Sequence, residues 1–141
     1  MSVNNNVDVI NIMEIIERVE NFAREYDLFK AHDKLLIACS GGPDSMALVD
    51  IFQKLSVKYK LEIIVAHAEH GIRKESSLND AWYVKNYCEQ KNIPFFMEHL
   101  NVLEHLKTEK LSVETLARKL RYQFLRKIAK AQNATKIVTA H

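Results

Sequence analysis

A short apolar run that leads directly into a glycine pair is the feature that most constrains how this chain can fold. Residues 35–39 are apolar throughout, as expected for a strand buried on both faces of a parallel sheet. The segment Ser-Gly-Gly-Pro-Asp-Ser follows at residues 40–45, and a run with helical periodicity comes next. Proline suits the first turn of a helix, where its missing N–H costs nothing. The pattern therefore predicts a strand, a tight turn and a helix in direct succession.

The alternation of strands and helices continues along the whole chain. Apolar residues recur at helical spacing in four segments, at about residues 9–29, 44–58, 78–88 and 112–132, the last capped by Ser112. Short apolar runs predict strands at residues 35–39, 61–66, 95–97 and 136–140, with a polar loop at 67–77. This order predicts an α/β fold, Rossmann-like, with a parallel sheet of about four strands flanked by helices. We expect residues 1–32 to form an amino-terminal helix that packs on a domain of residues 33–141.

Composition narrows the class of protein. The apolar runs are far shorter than a bilayer span, and the amino end has no leader-like pattern, so we expect a cytoplasmic protein without membrane contact. Cys39 and Cys88 lack paired spacing, which favours buried reduced thiols over a disulfide or metal cluster. His67 and His70 lie three apart without an evident third ligand, so hydrogen-bonded loop histidines are favoured over a metal site. The helical spacing of Trp82 predicts a core position.

Basic residues are concentrated at the carboxyl end. Residues 115–141 hold seven Lys/Arg and no Asp/Glu, whereas residues 1–114 hold 13 Lys/Arg and 18 Asp/Glu. A solvated helix face is the commoner origin of such a cluster, and a polyanionic partner is the alternative. Arg118 and Arg121 share one helix face, as two exposed surface arginines also would. Charge alone does not choose between these two interpretations.

The segment at residues 40–45 has the chemistry of a phosphate-binding loop. A turn between a strand and a helix places backbone N–H groups at the positive end of the helix. Gly41 and Gly42 permit close approach to an anion and positive φ, and the hydroxyls of Ser40 and Ser45 are further donors. Asp44 would repel phosphate, so it is predicted to hold a bridging Mg²⁺ or to accept from an incoming amine. The patterns G-x-x-x-x-G-K-[ST] and G-x-G-x-x-G are absent, and a plain structural turn is the alternative.

The loop resembles the S-G-G-x-D-S motif of the PP-loop ATP pyrophosphatases, and within that family it is most similar to the tRNA(Ile)-lysidine synthetases. The resemblance covers about residues 33–141 and implies an adenine nucleotide alpha hydrolase-like fold. The matching segments beyond the loop are Val65-Ala66-His67, His70-Gly71-Ile72-Arg73 with Ser76, Cys88, Glu114 to Tyr122, and Thr139-Ala140-His141.

This resemblance implies a reaction and a set of residues. In the family, ATP with Mg²⁺ adenylates the carbonyl oxygen of the wobble cytidine of tRNA(Ile), and L-lysine then displaces AMP. The resemblance implies an ATP site made of Ala38, Ser40, Gly41, Gly42, Pro43, Asp44, Ser45 and His67. It implies catalytic roles for Asp44, Arg118 and His141, with Asp44 also holding Mg²⁺ through the phosphates. It further implies that Arg73 and Arg121 bind tRNA.

Two departures from the family pattern qualify these expectations. Glu69 stands where the family usually has asparagine, and the family continues beyond His141 with a second histidine and an Asp-Asp-Gln-x-Glu-Thr segment. We therefore expect a sheet that is incomplete at the carboxyl end and a chain that is marginally stable or associates, for example as a homodimer. We also expect weak ATP binding without lysidine formation by this chain alone.

Other functions are compatible with the same loop. One is another PP-loop enzyme, either a tRNA thiolase or an amidotransferase-type synthetase. A second is a nucleotide-binding module without catalysis, and a third is an inactive remnant of a longer gene. The absence of a Cys-x-x-Cys pair argues against a cluster-dependent thiolase. The match from Glu114 to Tyr122 favours a lysidine synthetase over the enzymes that adenylate small molecules.

Overall fold

The computed structural model of the chain describes residues 12–25, 29–70 and 74–139. The chain forms two compact units, Met1–Lys30 and Ala31–His141. The first contains helix α1 (Ile12–Glu25), in which Arg24 lies 3.7 Å from the Glu20 carboxylate one turn earlier. Of the other positions of the predicted first helix, 9–11 and 26–28 lie outside the described residues, and Phe29 is described and is not helical.

The second unit is an α/β domain in which every strand pairing is parallel. Its elements are β1 (Lys34–Ala38), α2 (Pro43–Tyr59), β2 (Glu62–Glu69), α3 (Lys74–Lys91), β3 (Phe95–His99), α4 (Val102–His105), α5 (Val113–Gln132) and β4 (Lys136–Val138). The strands form one sheet in the order β3-β2-β1-β4. The predicted fold class, a parallel sheet of four strands flanked by helices, is confirmed.

The first strand is the centre of the hydrophobic core. Leu35, Leu36 and Ile37 are completely buried, because β1 has a neighbouring strand on each side and helices pack on the sheet. Leu36 belongs to a cluster that also includes Leu116 and Phe124 of α5. Successive side chains of a strand point to opposite faces, so Leu35 and Ile37 face away from α5. This burial explains why the run is apolar at every position.

The strand order reverses at β1. The chain passes from β1 to β2 and β3 on one side of the sheet, whereas β4 returns to pair on the other side of β1. In open parallel sheets a crevice forms outside the carboxyl ends of the strands at such a reversal, and ligands bind there. The loop between β1 and α2 therefore lies where the topology creates a binding crevice.

The second strand is longer than the sequence predicted. Residues 67–69, expected in a loop, belong to β2, and α3 begins at Lys74 within the same expected loop. The reason is the neighbouring strand: β3 pairs with β2 from Val65 to Glu69, which satisfies the backbone of these polar residues. The short helix α4 was not predicted. The last position of the predicted fourth strand, Ala140, lies outside the described residues.

The predicted core position of Trp82 is wrong. Its side chain is 59% exposed, whereas Ala81, Val84 and Cys88 are buried. These three residues are spaced by three and four, so they form the inward stripe of α3, and Trp82 lies beside that stripe. The Trp82 ring is covered instead by the ammonium of Lys85, 5.0 Å from the ring centroid. No helix in the described ranges is both long enough and apolar enough to cross a bilayer.

Candidate functional site

The two glycines of the loop have different roles. Gly41 has φ +91°, and a Cβ at this position would lie 3.2 Å from Asp80 Cβ and 3.4 Å from Val84 Cγ2 of α3. Gly42 is the residue before α2 and has extended backbone with φ −76°, so of these two glycines only Gly41 has a positive φ. A Cβ on Gly42 would make only ordinary contact, 3.5 Å from Ser40 Oγ. Gly41 is therefore required by conformation and space, whereas Gly42 is not required by either.

The two serines hold the loop closed through their hydroxyls. The Ser40 backbone N–H donates to Ser45 Oγ over 3.1 Å, and Ser45 Oγ donates to the Gly42 carbonyl over 3.1 Å. The two hydroxyl oxygens lie 3.0 Å apart, and the Gly42 N–H donates to Ser40 Oγ over 3.3 Å. Ser45 is buried, so its hydroxyl fixes the loop and Ser40 is the more exposed of the pair.

His67 anchors the start of the loop from the neighbouring strand. Its imidazole is buried, and Nδ1 lies 2.7 Å from the carbonyl oxygen of Cys39. Since a carbonyl only accepts, Nδ1 carries the proton and donates. The Cys39 N–H donates to the Ala66 carbonyl over 3.0 Å, which continues the β1–β2 pairing by one residue. Both hydrogen bonds fix the chain immediately before Ser40.

A cavity of about 240 Å³ opens beside this loop. Its floor is made of small side chains, because Ala38 of β1 and Ala66 of β2 are register partners and Ala68 lies two residues further along the same face. The opposite wall comes from α5. The cavity is lined by Ala38, Cys39, Ser40, Gly42, Pro43, Asp44, Ser45, Ala66, Ala68, His70, Arg121, Leu125 and Thr139.

Charged and titratable side chains from α2, from α5 and from the residue after β2 line the cavity together. Asp44 is exposed in the first turn of α2, beside backbone N–H groups at the positive end of that helix. Arg121 and His70 line the cavity with it. Burial and then the Arg121 guanidinium lower the pKa of His70, against a smaller opposing effect of Glu69. His70 is therefore a neutral imidazole at neutral pH and can both donate and accept a hydrogen bond.

Glu69, the departure from the family pattern, has a structural partner. It is buried at the end of β2, and its carboxylate lies 2.7 Å from Nδ1 of His99, its register partner on β3. The pair joins the ends of two neighbouring strands.

The prediction that His67 and His70 both lie in a loop is wrong for His67. His67 lies within β2, and His70 directly follows the strand. Within the described residues, no group of three or more His, Cys, Asp or Glu could hold a metal ion.

The structure brings together most, but not all, of the residues implied by the resemblance. Seven of them line the cavity: Ala38, Ser40, Gly42, Pro43, Asp44, Ser45 and Arg121. Gly41 packs against α3, His67 is buried beneath the loop, and Arg118 is exposed outside the cavity. Arg73 and His141 lie outside the described residues.

Sequence reasoning missed six of the residues that line the cavity. They are Cys39, Ala66, Ala68, His70, Leu125 and Thr139. Three of them, Ala66, Ala68 and His70, follow the period of two that marks one face of a strand. This signal was present in the sequence, but it becomes visible only when β2 is extended to Glu69.

The two thiols are buried and free, as predicted. Burial raises the pKa of Cys39, and burial together with the nearby Cys39 raises the pKa of Cys88 to about 12. Both side chains are therefore protonated at physiological pH. Buried and protonated, they pack as small apolar groups.

An open parallel sheet with a glycine loop and a cavity at the point of strand-order reversal defines a Rossmann-like α/β domain. Within that class the chain belongs to the PP-loop domain family, whose model matches residues 11–141.

Relatives of known function share the same part of the chain. It is 38% identical over 130 residues to the tRNA(Ile)-lysidine synthase of Thermosipho africanus, covering 92% of this chain and 30% of that protein. The same identity and length apply to the tRNA(Ile)-lysidine synthase of Petrotoga mobilis, of which 42% is covered, again with 92% of this chain. The chain thus spans less than half the length of these relatives.

Two solved structures share the fold at low sequence identity. The U34-tRNA thiolase NcsA of Methanococcus maripaludis, solved with its [4Fe-4S] cluster, superposes with a TM-score of 0.77 at 15% identity, covering 92% of this chain and 46% of that one. The NH3-dependent NAD synthetase of Campylobacter jejuni superposes with a TM-score of 0.66 at 15% identity, covering 91% and 56% of the two chains. These likenesses support the fold class.

Proposed function

We propose that this chain is the ATP-binding part of a tRNA(Ile)-lysidine synthase that works in the cytoplasm on tRNA(Ile) and L-lysine. The observation that carries the proposal is that residues of the loop at 40–45 line one cavity together with Arg121 and His70. Identity of 38% to two lysidine synthases supports this reaction. The thiolase and the NAD synthetase are 15% identical and support the fold alone.

The proposed reaction has two steps. The carbonyl oxygen of the wobble cytidine attacks the α-phosphorus of ATP, and the bond to pyrophosphate breaks. Lysine then attacks the activated ring carbon, and AMP leaves with the former carbonyl oxygen. The residues of this chain serve the first step, because its leaving group is the pyrophosphate that a loop of this type holds.

The loop would bind the leaving pyrophosphate through backbone N–H groups and the Ser40 hydroxyl. Ser45 and His67 hold the loop in the conformation that does so, since their hydrogen bonds are within the loop or to Cys39. Arg121 would lie against the phosphate that is attacked, where a guanidinium stabilises the charge of the transition state. His70, as a neutral imidazole, would donate a hydrogen bond to the same group.

The Asp44 carboxylate is suited to Mg²⁺. The ion prefers oxygen ligands and is commonly held by one or two carboxylates together with substrate phosphates and water. Asp44 is exposed, lines the cavity, and precedes Ser45 in the first turn of α2. When bound, Mg²⁺ would neutralise part of the phosphate charge. Asp44 is proposed to position the ion relative to the loop.

The test compares two aspartates of one helix. Asp44→Asn should lower pyrophosphate exchange into ATP in the presence of tRNA(Ile) by at least about a hundredfold, because it removes the carboxylate that positions the charge-neutralising Mg²⁺. The matched control is Asp50→Asn on the same helix, whose carboxylate contacts Lys54 and Tyr87 and does not line the cavity. Equal exchange by the two variants would refute the role of Asp44. Absence of ATP binding by the wild-type protein would refute the proposed function.

Two further proposals concern the whole protein. As the resemblance implies, His141 and Arg118 are proposed to act in catalysis and Arg73 in tRNA binding. Arg121, which the resemblance assigns to tRNA binding, is proposed to contact the attacked phosphate as well. Self-association as a homodimer stays a prediction, and sedimentation equilibrium of the protein tests it directly.

A further inference from the structure

Three arginines of α5 are gathered around one tyrosine. The guanidinium carbons of Arg118 and Arg121 each lie 5.3 Å from the centroid of the Tyr122 ring, and that of Arg126 lies 5.8 Å from it. All three distances are within the range at which a cation is attracted to an aromatic face. We call these four residues the arginine–tyrosine cluster.

The cluster is held in place by the core. Tyr122 is half-buried and packs against the hydrophobic cluster that contains Leu116 and Phe124. Arg118, Tyr122 and Arg126 are spaced by four, so they form one row along the helix, about 12 Å long at 1.5 Å per residue. The ring is therefore a fixed platform on which the long arginine side chains are partly ordered.

Within the described parts of the chain, no carboxylate forms an ion pair with the three guanidiniums of the cluster. Two lysines of the same helix have acidic partners, since Lys119 lies 2.6 Å from Glu109 and Lys127 pairs with Glu98. Among the described residues, Arg118, Arg121 and Arg126 have no such ion pair. Three unpaired guanidiniums repel one another at this distance, and an anion placed across them would relieve that repulsion.

The cluster is continuous with the cavity. Arg121 belongs to both, because it lines the cavity and contacts the Tyr122 ring. Arg118 and Arg126 are exposed on either side of it along the helix. A ligand that lies partly in the cavity and has negatively charged groups outside it would therefore contact this row of residues.

We propose that the arginine–tyrosine cluster is a binding surface for the sugar–phosphate backbone of RNA beside the nucleotide that enters the cavity, with Arg126 as its outer contact. This inference rests on the proposed function and extends it to residues outside the cavity. Arginine suits the task because its planar fork pairs with two phosphate oxygens at once, and an arginine stacked on an aromatic ring is already oriented.

The experiment measures binding of a fluorescein-labelled tRNA(Ile) transcript to the protein by anisotropy over a series of KCl concentrations. Arg126→Gln removes the outer contact, and Lys130→Gln is the matched control. Lys130 is exposed on the same helix one turn later, so both variants lose one positive charge. Arg126→Gln should weaken binding about five- to tenfold and reduce the slope of log K against log salt by about 0.7, as for one lost phosphate contact on a single strand. Lys130→Gln should weaken binding less than about twofold.

A second variant distinguishes the contribution of the Tyr122 ring to RNA binding from that of the arginine charges. Tyr122→Leu keeps all three arginines, so it should weaken RNA binding several-fold while leaving the salt slope unchanged. Thermal melting of each variant confirms that the fold is retained. Equal losses for Arg126→Gln and Lys130→Gln would overturn the inference, as would equal competition by polyglutamate and by RNA of the same charge.

ATP binding by the same proteins distinguishes the inference from the proposed function. Arg126 does not line the cavity, so Arg126→Gln should bind ATP as the wild type does. A wild-type protein that binds RNA through the cluster but does not bind ATP would refute the proposed function. A protein that binds ATP but shows no difference between Arg126→Gln and Lys130→Gln would refute the inference alone.

Discussion

Replacing Gly41 by alanine should destabilise the domain far more than the same change at Gly42. At φ +91° any residue with a Cβ is strained, at a cost of roughly 1–3 kcal/mol. The added Cβ would also lie 3.2 Å from Asp80 Cβ and 3.4 Å from Val84 Cγ2, so α3 must move by a few tenths of an ångström. The lower entropy of the unfolded chain returns about 0.4–1 kcal/mol. Overpacking against α3 adds about 1 kcal/mol at the low end of its usual range, so the net loss is about 2–3 kcal/mol.

This loss is large enough to measure by thermal unfolding. For a domain of this size, 1 kcal/mol corresponds to about 4 °C in Tm, so Gly41→Ala should lower Tm by roughly 8–12 °C. Gly42→Ala places its Cβ in ordinary contact at φ −76°, and it should leave Tm unchanged or raise it slightly. Circular dichroism at 222 nm follows both transitions.

At a temperature where both variants are folded, Gly42→Ala should bind ATP more weakly than Gly41→Ala, although Gly41→Ala has the lower Tm. Gly42 lines the cavity, so a methyl group there occupies space that a phosphate would use, whereas Gly41 faces α3. Isothermal titration should show weaker ATP binding by Gly42→Ala despite its unchanged Tm. Equal Tm values for the two variants would show that the contact with α3 does not constrain the loop, and the reasoning from φ and space would be refuted.

The other predictions concern groups around the loop and α3. His67→Ala removes the donor to the Cys39 carbonyl and should cost about 1–3 kcal/mol in unfolding free energy, measured by urea denaturation. Burial, followed by the Asp50 carboxylate, raises the pKa of Tyr87 to about 12, so ultraviolet titration should find one late-ionising tyrosine and Asp50→Asn should shift it downward. Because the folded pKa exceeds the unfolded value of about 10, this tyrosine contributes stability below pH 10 that is lost as the pH rises towards 12. Raised pKa values predict that both buried thiols react slowly with Ellman's reagent at pH 8 and quickly after denaturation; fast reaction of the native protein would contradict the described burial.

The fold was predictable because its signals are local. A completely apolar strand at residues 35–39, a proline at the start of a helix and a serine cap at residue 112 each specify one element from a few neighbouring residues. The cap is observed, with the Thr115 N–H donating to Ser112 Oγ over 3.2 Å. Strand order is not local, but the alternation of strands and helices with right-handed crossovers leaves few choices.

The errors arose where a neighbouring element decides the structure. His67 and Glu69 are polar, and local propensity places them in a loop, yet pairing with β3 makes them part of a strand. Trp82 has the hydrophobicity of a core residue, but the face of α3 that packs on the sheet is the one with Ala81, Val84 and Cys88, which leaves Trp82 exposed. Neither constraint is present in the residue's own sequence context.

The site was predicted in part for the same reason. The phosphate loop is one continuous segment, so its motif specifies both its residues and its position at the end of a strand. The floor comes from β1 and β2, where Ala38 and Ala66 are in register, and the opposite wall comes from α5, which packs on that face of the sheet. His70 therefore could not be distinguished from His67 by spacing alone, although one lines the cavity and the other holds the loop from beneath. His67 lies on one face of β2, and His70, which directly follows the strand, continues the opposite face, so the extension of β2 past residue 66 separates the two roles.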